Sequence, residues 1–128
     1  MKHLNSVAGI IEAAGIARVG IDLFIGTIPA DVSSGIMLRD PLVGATIDKG
    51  MKNFYSFEFQ VIVRDPDVAQ GYVRAEQIQS VLDITDWEDA DIHISWMQPC
   101  NLPVSYPRGD SDTMETSFRV SIGFGRKV

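Results

Sequence analysis

The run from Asn53 to Leu82 constrains the fold more than any other part of the chain, because its hydrophobic period changes from two to about 3.6 at a proline. Tyr55, Phe57, Phe59, Val61 and Val63 share one parity. Ser56, Glu58, Gln60 and Arg64 share the other with Phe54 and Ile62, so this strand has an aromatic core face and a second face that is wet or partnered. Asp65 then offers an N-cap side chain, Pro66 suits the first helical position, and Asp67 adds negative charge to the first turn. The predicted helix, Asp65 to Leu82, buries Val68, Tyr72, Ala75, Ile78 and Leu82 and leaves Gln70, Arg74, Gln77 and Gln79 outside. A strand feeding such a helix implies a helix laid across a sheet.

The rest of the chain adds to both layers. Leu4, Val7, Ala8, Ile11 and Ala14 form one helical stripe, which Gly15 stops. Gly9 inside it costs about 1 kcal/mol relative to alanine, so this helix depends on packing. Short strands are predicted at Ile21 to Ile25 and at Ile36 to Leu38. Pro41, Gly44, Asp48 and Gly50 forbid a long regular element between Asp40 and Lys52, which reads as a surface arm. Ile92, Ile94 and Trp96 alternate with Asp91, His93 and Ser95, and Phe118 to Phe124 alternate likewise, giving two further strands. On this parity Trp96 belongs to the core. The segment from Pro99 to Glu115 reads as a long loop. The expected architecture is one domain, 1–128, of the α+β class: a mainly antiparallel sheet of four to five strands with two helices packed on one face.

A chain of 128 residues buries roughly two-thirds of the surface its unfolded form exposes, enough for a core without disulfides. Cys100 is the only cysteine, which suits a reducing compartment. No apolar run approaches the ~20 residues of a membrane-spanning helix, and the first residues lack a signal-peptide pattern, so assembly in the cytoplasm is expected. The 17 acidic residues exceed the 11 basic ones by six, and no basic patch is evident. Gripping nucleic acid by phosphate neutralisation is therefore disfavoured, whereas an acidic surface suits a protein that DNA slides past.

Candidate chemistry is sparse. His3 and His93 have no Cys or His at metal-ligand spacing, and His93 reads as structural. Asp110 and Asp112 supply two carboxylates but not the further oxygen ligands and fixed turn of a calcium loop. The triplet Arg108, Gly109, Asp110 matches an adhesion motif too short to carry weight. Cys100 lacks a base or helix N-terminus to stabilise a thiolate, no nucleophile elbow surrounds a serine, and no glycine pattern cradles a nucleotide. No catalytic residue, cofactor or metal is assigned. Trp87, among Asp86, Glu88 and Asp89, reads as an exposed interface anchor.

The run Ile28-Pro29, then Gly35-Ile36-Met37-Leu38-Arg39-Asp40, a glycine-containing arm, Phe57 to Arg64 and the following helix resembles the tail terminator proteins of tailed bacteriophages, also called minor capsid proteins. Ile94, Trp96, Pro99 and the strand from Arg119 to Gly125 extend the likeness over nearly the whole chain; the loop from Pro99 to Glu115 departs from it. The resemblance implies a structural virion protein, assembled in the host cytoplasm, that forms a ring, commonly a hexamer, at the head-proximal end of the tail tube. Its implied partners are further copies of itself, the tail tube protein and a head-tail connector or neck protein, with DNA only as cargo in the lumen. Interface candidates are Asp40, Lys49 and Lys52 of the arm, Trp87, and Arg108 and Asp110 of the later loop. Another neck or head-completion protein is the near alternative. A small-ligand or enzymatic α+β domain using His93, Asp110, Asp112 and Arg119 is the distant one.

Overall fold

A computed structural model describes residues 2–40, 46–47, 50, 53–107 and 113–127. Its axis is a pair of long antiparallel strands, β-rich in sequence and free of proline. One is Phe54–Asp65, and the other, Met114–Arg126, pairs with it from Phe54 opposite Gly125 to Asp65 opposite Met114. At about 3.4 Å per residue this ladder is ~40 Å long. Among the described residues, eight strands make one sheet: β1 Leu23–Ile25, β2 Gly35–Arg39, β3 Thr46–Ile47, β4 Phe54–Asp65, β5 Ile84–Glu88, β6 Ile92–Pro99, β7 Val104–Pro107 and β8 Met114–Arg126. The order is β1-β2-β4-β8-β6-β5, with β3 also on β4 and β7 also on β8. The β1–β2 pair is parallel and every other pair is antiparallel. The α+β class is thus correct, but the sheet is wider than the four to five strands expected.

Two helices, α1 Lys2–Ala13 and α2 Val68–Val81, cover one face. Leu4, Val7 and Ile11 of the first and Ala75 and Ile78 of the second join Phe59, Val61, Val63, Phe118, Val120 and Ile122 in one buried cluster. The predicted stripes hold except at their ends: Ala14 and Val68 are exposed and Tyr72 is half-buried. Gly15, at φ +76°, closes the first helix as predicted, donating to the carbonyl of Glu12.

The cap of α2 lies two residues later than predicted. Asp65 ends β4, still paired with Met114; Asp67 is the N-cap, its carboxylate accepting from the Ala69 N–H at 2.9 Å. Asp65 instead accepts from the Asp67 N–H at 2.8 Å, so two carboxylates act in relay and the strand runs on to the proline.

The largest correction concerns the two tryptophans. Pairing of β6 with β8 slips by one residue between Ile94 and Trp96, leaving Ser95 as the extra residue of a bulge. Asp86, on the neighbouring β5, takes φ +54° at the same level. The slip sends Met97 inward in place of Trp96, which stands on the outer face at 37% exposure. On β5 it turns Ile84 and Trp87 inward, both packed against the core. Trp96 is the exposed tryptophan and Trp87 the half-buried one, the reverse of what parity alone predicts.

The segment expected as a loop from Pro99 to Glu115 contains strand among its described residues. Pro99 ends β6, β7 pairs with β8 from Val104 opposite Ser117 to Pro107 opposite Met114, and Glu115 lies within β8. Residues 108–112 lie outside the described residues, as does most of the Asp40 to Lys52 arm.

Candidate assembly surfaces

The outer face of the sheet carries the second parity of β4 and β8. Near β2 it is closed over: Met37 and Ile62 are buried, and Arg64 is only 6% exposed. The Arg64 guanidinium holds Glu115 through Nε at 3.2 Å and Nη2 at 3.1 Å, and donates from Nη1 to the carbonyls of Pro29 at 3.0 Å and Val32 at 3.2 Å. A buried charge is tolerated there because a carboxylate and two carbonyls satisfy it, and the 26–34 connection is thereby tied down on the sheet. Towards the middle, Arg119 pairs with Glu58 at 2.9 Å and Arg39 donates to Gln60, both in solvent.

At the helical edge Arg74 reaches Asp22 at 2.9 Å and the carbonyl of Ile16 at 3.5 Å, joining α2 to the turn before β1. Two open depressions flank it, about 400 Å³ beside Glu12, Ile16 and Arg18 and about 290 Å³ beside Gln70, Val73 and Gln77. Neither includes His93, Cys100 or Arg119.

At the opposite edge, β5 and its turns carry acids. Asp86 accepts from His93 at 2.7 Å with its side chain 87% exposed, and Glu88 pairs with Lys127 at 2.6 Å. The hydrogen bond and charge of Lys127 hold the Glu88 carboxyl below its ordinary value. Burial pushes the Asp89 carboxyl up, but hydrogen bonds from the Ser6 hydroxyl and the Ile92 and Asp91 N–H groups outweigh it and leave the group below its ordinary value. Asp89 thus moors the start of α1 to the turn between β5 and β6.

Of the interface candidates, Asp40 and Trp87 are described, while Lys49, Lys52, Arg108 and Asp110 lie outside the described residues, as does Asp112. Asp40 bonds to His3 Nε2 at 2.9 Å, and that ring stacks on Phe124 with centroids 5.0 Å apart and meets Phe57 edge-on at 5.1 Å. His3 is therefore a packing residue that ties α1 to the root of the arm. His93 lies opposite Gly125 and Arg119 opposite Gln60, six positions apart along β8 or about 20 Å, so the two do not converge. Burial and the neighbouring Glu58 carboxylate push the Cys100 thiol up, away from the reactive thiolate. Among the described residues no three His, Cys, Asp or Glu side chains gather as metal ligands would. The roles of Arg64, Trp96 and the 18–22 turn do not show in the sequence pattern; Gly123 in a central strand is the one signal there of a close approach.

The described residues form a two-layer core, with polar side chains that fasten their own loops and apolar side chains standing out at the sheet edges. A family model described as bacteriophage tail terminator protein matches residues 10–122, and the chain belongs to this family. Its fold is similar to that of a chain in the structure titled "Virion of native gene transfer agent (GTA) particle", with a TM-score of 0.63 at 11% identity, over 93% of this chain and 84% of that one. No curated protein matches the sequence. The protein is a structural component of the virion with a role in the tail or neck, and it is not an enzyme.

Proposed function

We propose that this protein forms a ring, a hexamer in the family's common manner, on the head-proximal end of the tail tube, where it ends tube polymerisation and joins tail to head. The observation that carries the reading is the family match over residues 10–122. A terminator acts by occupying the last exposed surface of the growing tube and offering a different surface to the neck, so it needs contacts and no bond-making chemistry. Its partners are then its own copies, the tube protein and a connector or neck protein, with DNA passing through the lumen. The net charge of −6 favours passage over grip. The arm that begins at Asp40 and includes Lys49 and Lys52, together with Arg108 and Asp110, is proposed to meet neighbours in the particle.

The test is electron microscopy of tail tubes incubated with the purified protein. Rings at one end of each tube, and tubes that no longer elongate when tube protein is added, are expected. Tubes that keep growing with the protein bound along their sides would exclude termination.

A further inference from the structure

Three features on the outer face converge on Trp96. The bulge at Ser95 turns it out of the core, Asp86 adopts a left-handed backbone beside it, and Gly123 lets the indole lie on the strand. A Cβ on Gly123 would fall 2.5 Å from Trp96 Nε1 and 2.6 Å from Cε2, so the seat requires glycine. A bulge that re-aims a large aromatic onto a surface is a feature of binding faces. Asp86 and Glu88, on the adjacent edge strand, add two carboxylates to that surface, each bonded within the chain, to His93 and Lys127, yet 87% and 61% exposed.

The other edge of the sheet has the complementary chemistry. Before β1, the Arg18 carbonyl accepts from the N–H groups of Ile21, Asp22 and Leu23, the Arg18 N–H donates to the Asp22 carboxylate at 2.6 Å, and the Val19 N–H to Glu12 at 3.0 Å. This self-bonded turn presents Val19 at 47% exposure and Ile21 at 67%. Rigid presentation of apolar side chains lowers the entropy lost on docking. Among the described side chains, Arg18 carries the one guanidinium with no partner: Arg39, Arg64, Arg74 and Arg119 bond to side chains and Arg126 lies 4.8 Å over the Tyr55 ring.

We infer that the turn bearing Arg18, Val19 and Ile21 of one copy docks on the Trp96, Asp86 and Glu88 surface of the next. The two patches sit at opposite ends of the strand order, so the contact is head-to-tail and repeats around a closed ring. Charge favours the second copy as occupant: an unpaired cation is offered at one edge, and at the other two exposed carboxylates that His93 and Lys127 bond on one side and leave open to a further cation. The inference rests on the ring reading above and specifies its subunit contact.

The test uses the full chain with Cys100→Ser, to which Ile21→Cys and Thr85→Cys are added; Thr85 is exposed and pairs with Trp96. On tail tubes under mild oxidation, the double-cysteine protein is expected to give a covalent ladder up to ring size, and each single-cysteine protein none. In parallel, Arg18→Glu should weaken ring formation at least about tenfold, and adding Asp86→Lys should recover it, with circular dichroism unchanged. Rings that form on tubes without any ladder, and that ignore Arg18→Glu, overturn this contact while leaving the ring reading intact. A ladder confined to dimers from a single-cysteine protein would mean a two-fold contact and overturn it as well. A wild-type chain that stays monomeric on tubes overturns the ring reading, and this contact with it.

Discussion

Arg64 is a charged side chain on a central strand at 6% exposure, and its environment explains why it is tolerated. Arg64→Ala would leave the Glu115 carboxylate and two loop carbonyls without their donor, a loss of about 3–5 kcal/mol by the usual cost of breaking a buried pair. Urea unfolding checks this, and a cost under ~1 kcal/mol would mean the guanidinium is not holding the 26–34 connection. Asp89 gives a pH-dependent counterpart. Its folded-state carboxyl titrates below the ordinary value, so its contribution to stability is present above the unfolded pKa of about 4 and is lost as pH falls through the lower folded value. Asp89→Asn should therefore destabilise the protein at pH 7, with the gap to wild type narrowing steadily below pH ~4. A gap that is constant with pH would show that the Ser6 and backbone hydrogen bonds act on a group with no net shift.

Helix α2 tests which face the sequence pattern buries. Ile78 is fully buried against the sheet, so Ile78→Ala should cost about 2–5 kcal/mol, while exposed Gln77→Ala should stay within ~0.5 kcal/mol. Equal shifts in thermal unfolding would mean the helix lies the other way round. Elements with one unbroken period are legible in the sequence: the first stripe from Leu4 to Ile11 and the run from Phe118 to Phe124 occupy the core, as do Phe59, Val61 and Val63 of β4, with Tyr55 and Phe57 packed against it. What is not legible turns on breaks in period. One residue at Ser95 reverses the faces of Trp96 and Met97. Asp86 makes Ile84 and Trp87 face inward three apart, a spacing that does not read as a strand, so β5 stays hidden in the sequence. In β7, Pro103 and Pro107 flank and end a four-residue edge strand that only its pairing with β8 defines. Gly123→Ala probes the bulge directly, because the added methyl must push the Trp96 ring off the strand. The expected result is a red shift in tryptophan emission with circular dichroism preserved. An unchanged spectrum would mean that the indole does not rest on Gly123.

The described residues form one sheet with its helices on a single face, so both edges and the part of the outer face that the 26–34 connection does not cover are left to meet neighbours. The edge acids and the left-handed Asp86 on β5 also discourage indiscriminate pairing of one sheet with another, as the proposed ring would require of a subunit that closes and does not grow a fibre. On the proposed reading the protein terminates by covering a surface and acts once per tail, which gives its loss a recognisable form. A phage lacking it should make filled heads and tails that fail to join, with tails of abnormal length. Purified protein added to extracts of the mutant should restore joining in proportion to the amount added, saturating at a fixed number of copies per tail; an enzyme would restore it at trace amounts. Electron micrographs of the lysate and a titration of infectious particles supply both readouts. Normal tails on normal heads in the complete absence of the protein would end the termination reading, and restoration by trace amounts would end the stoichiometric one.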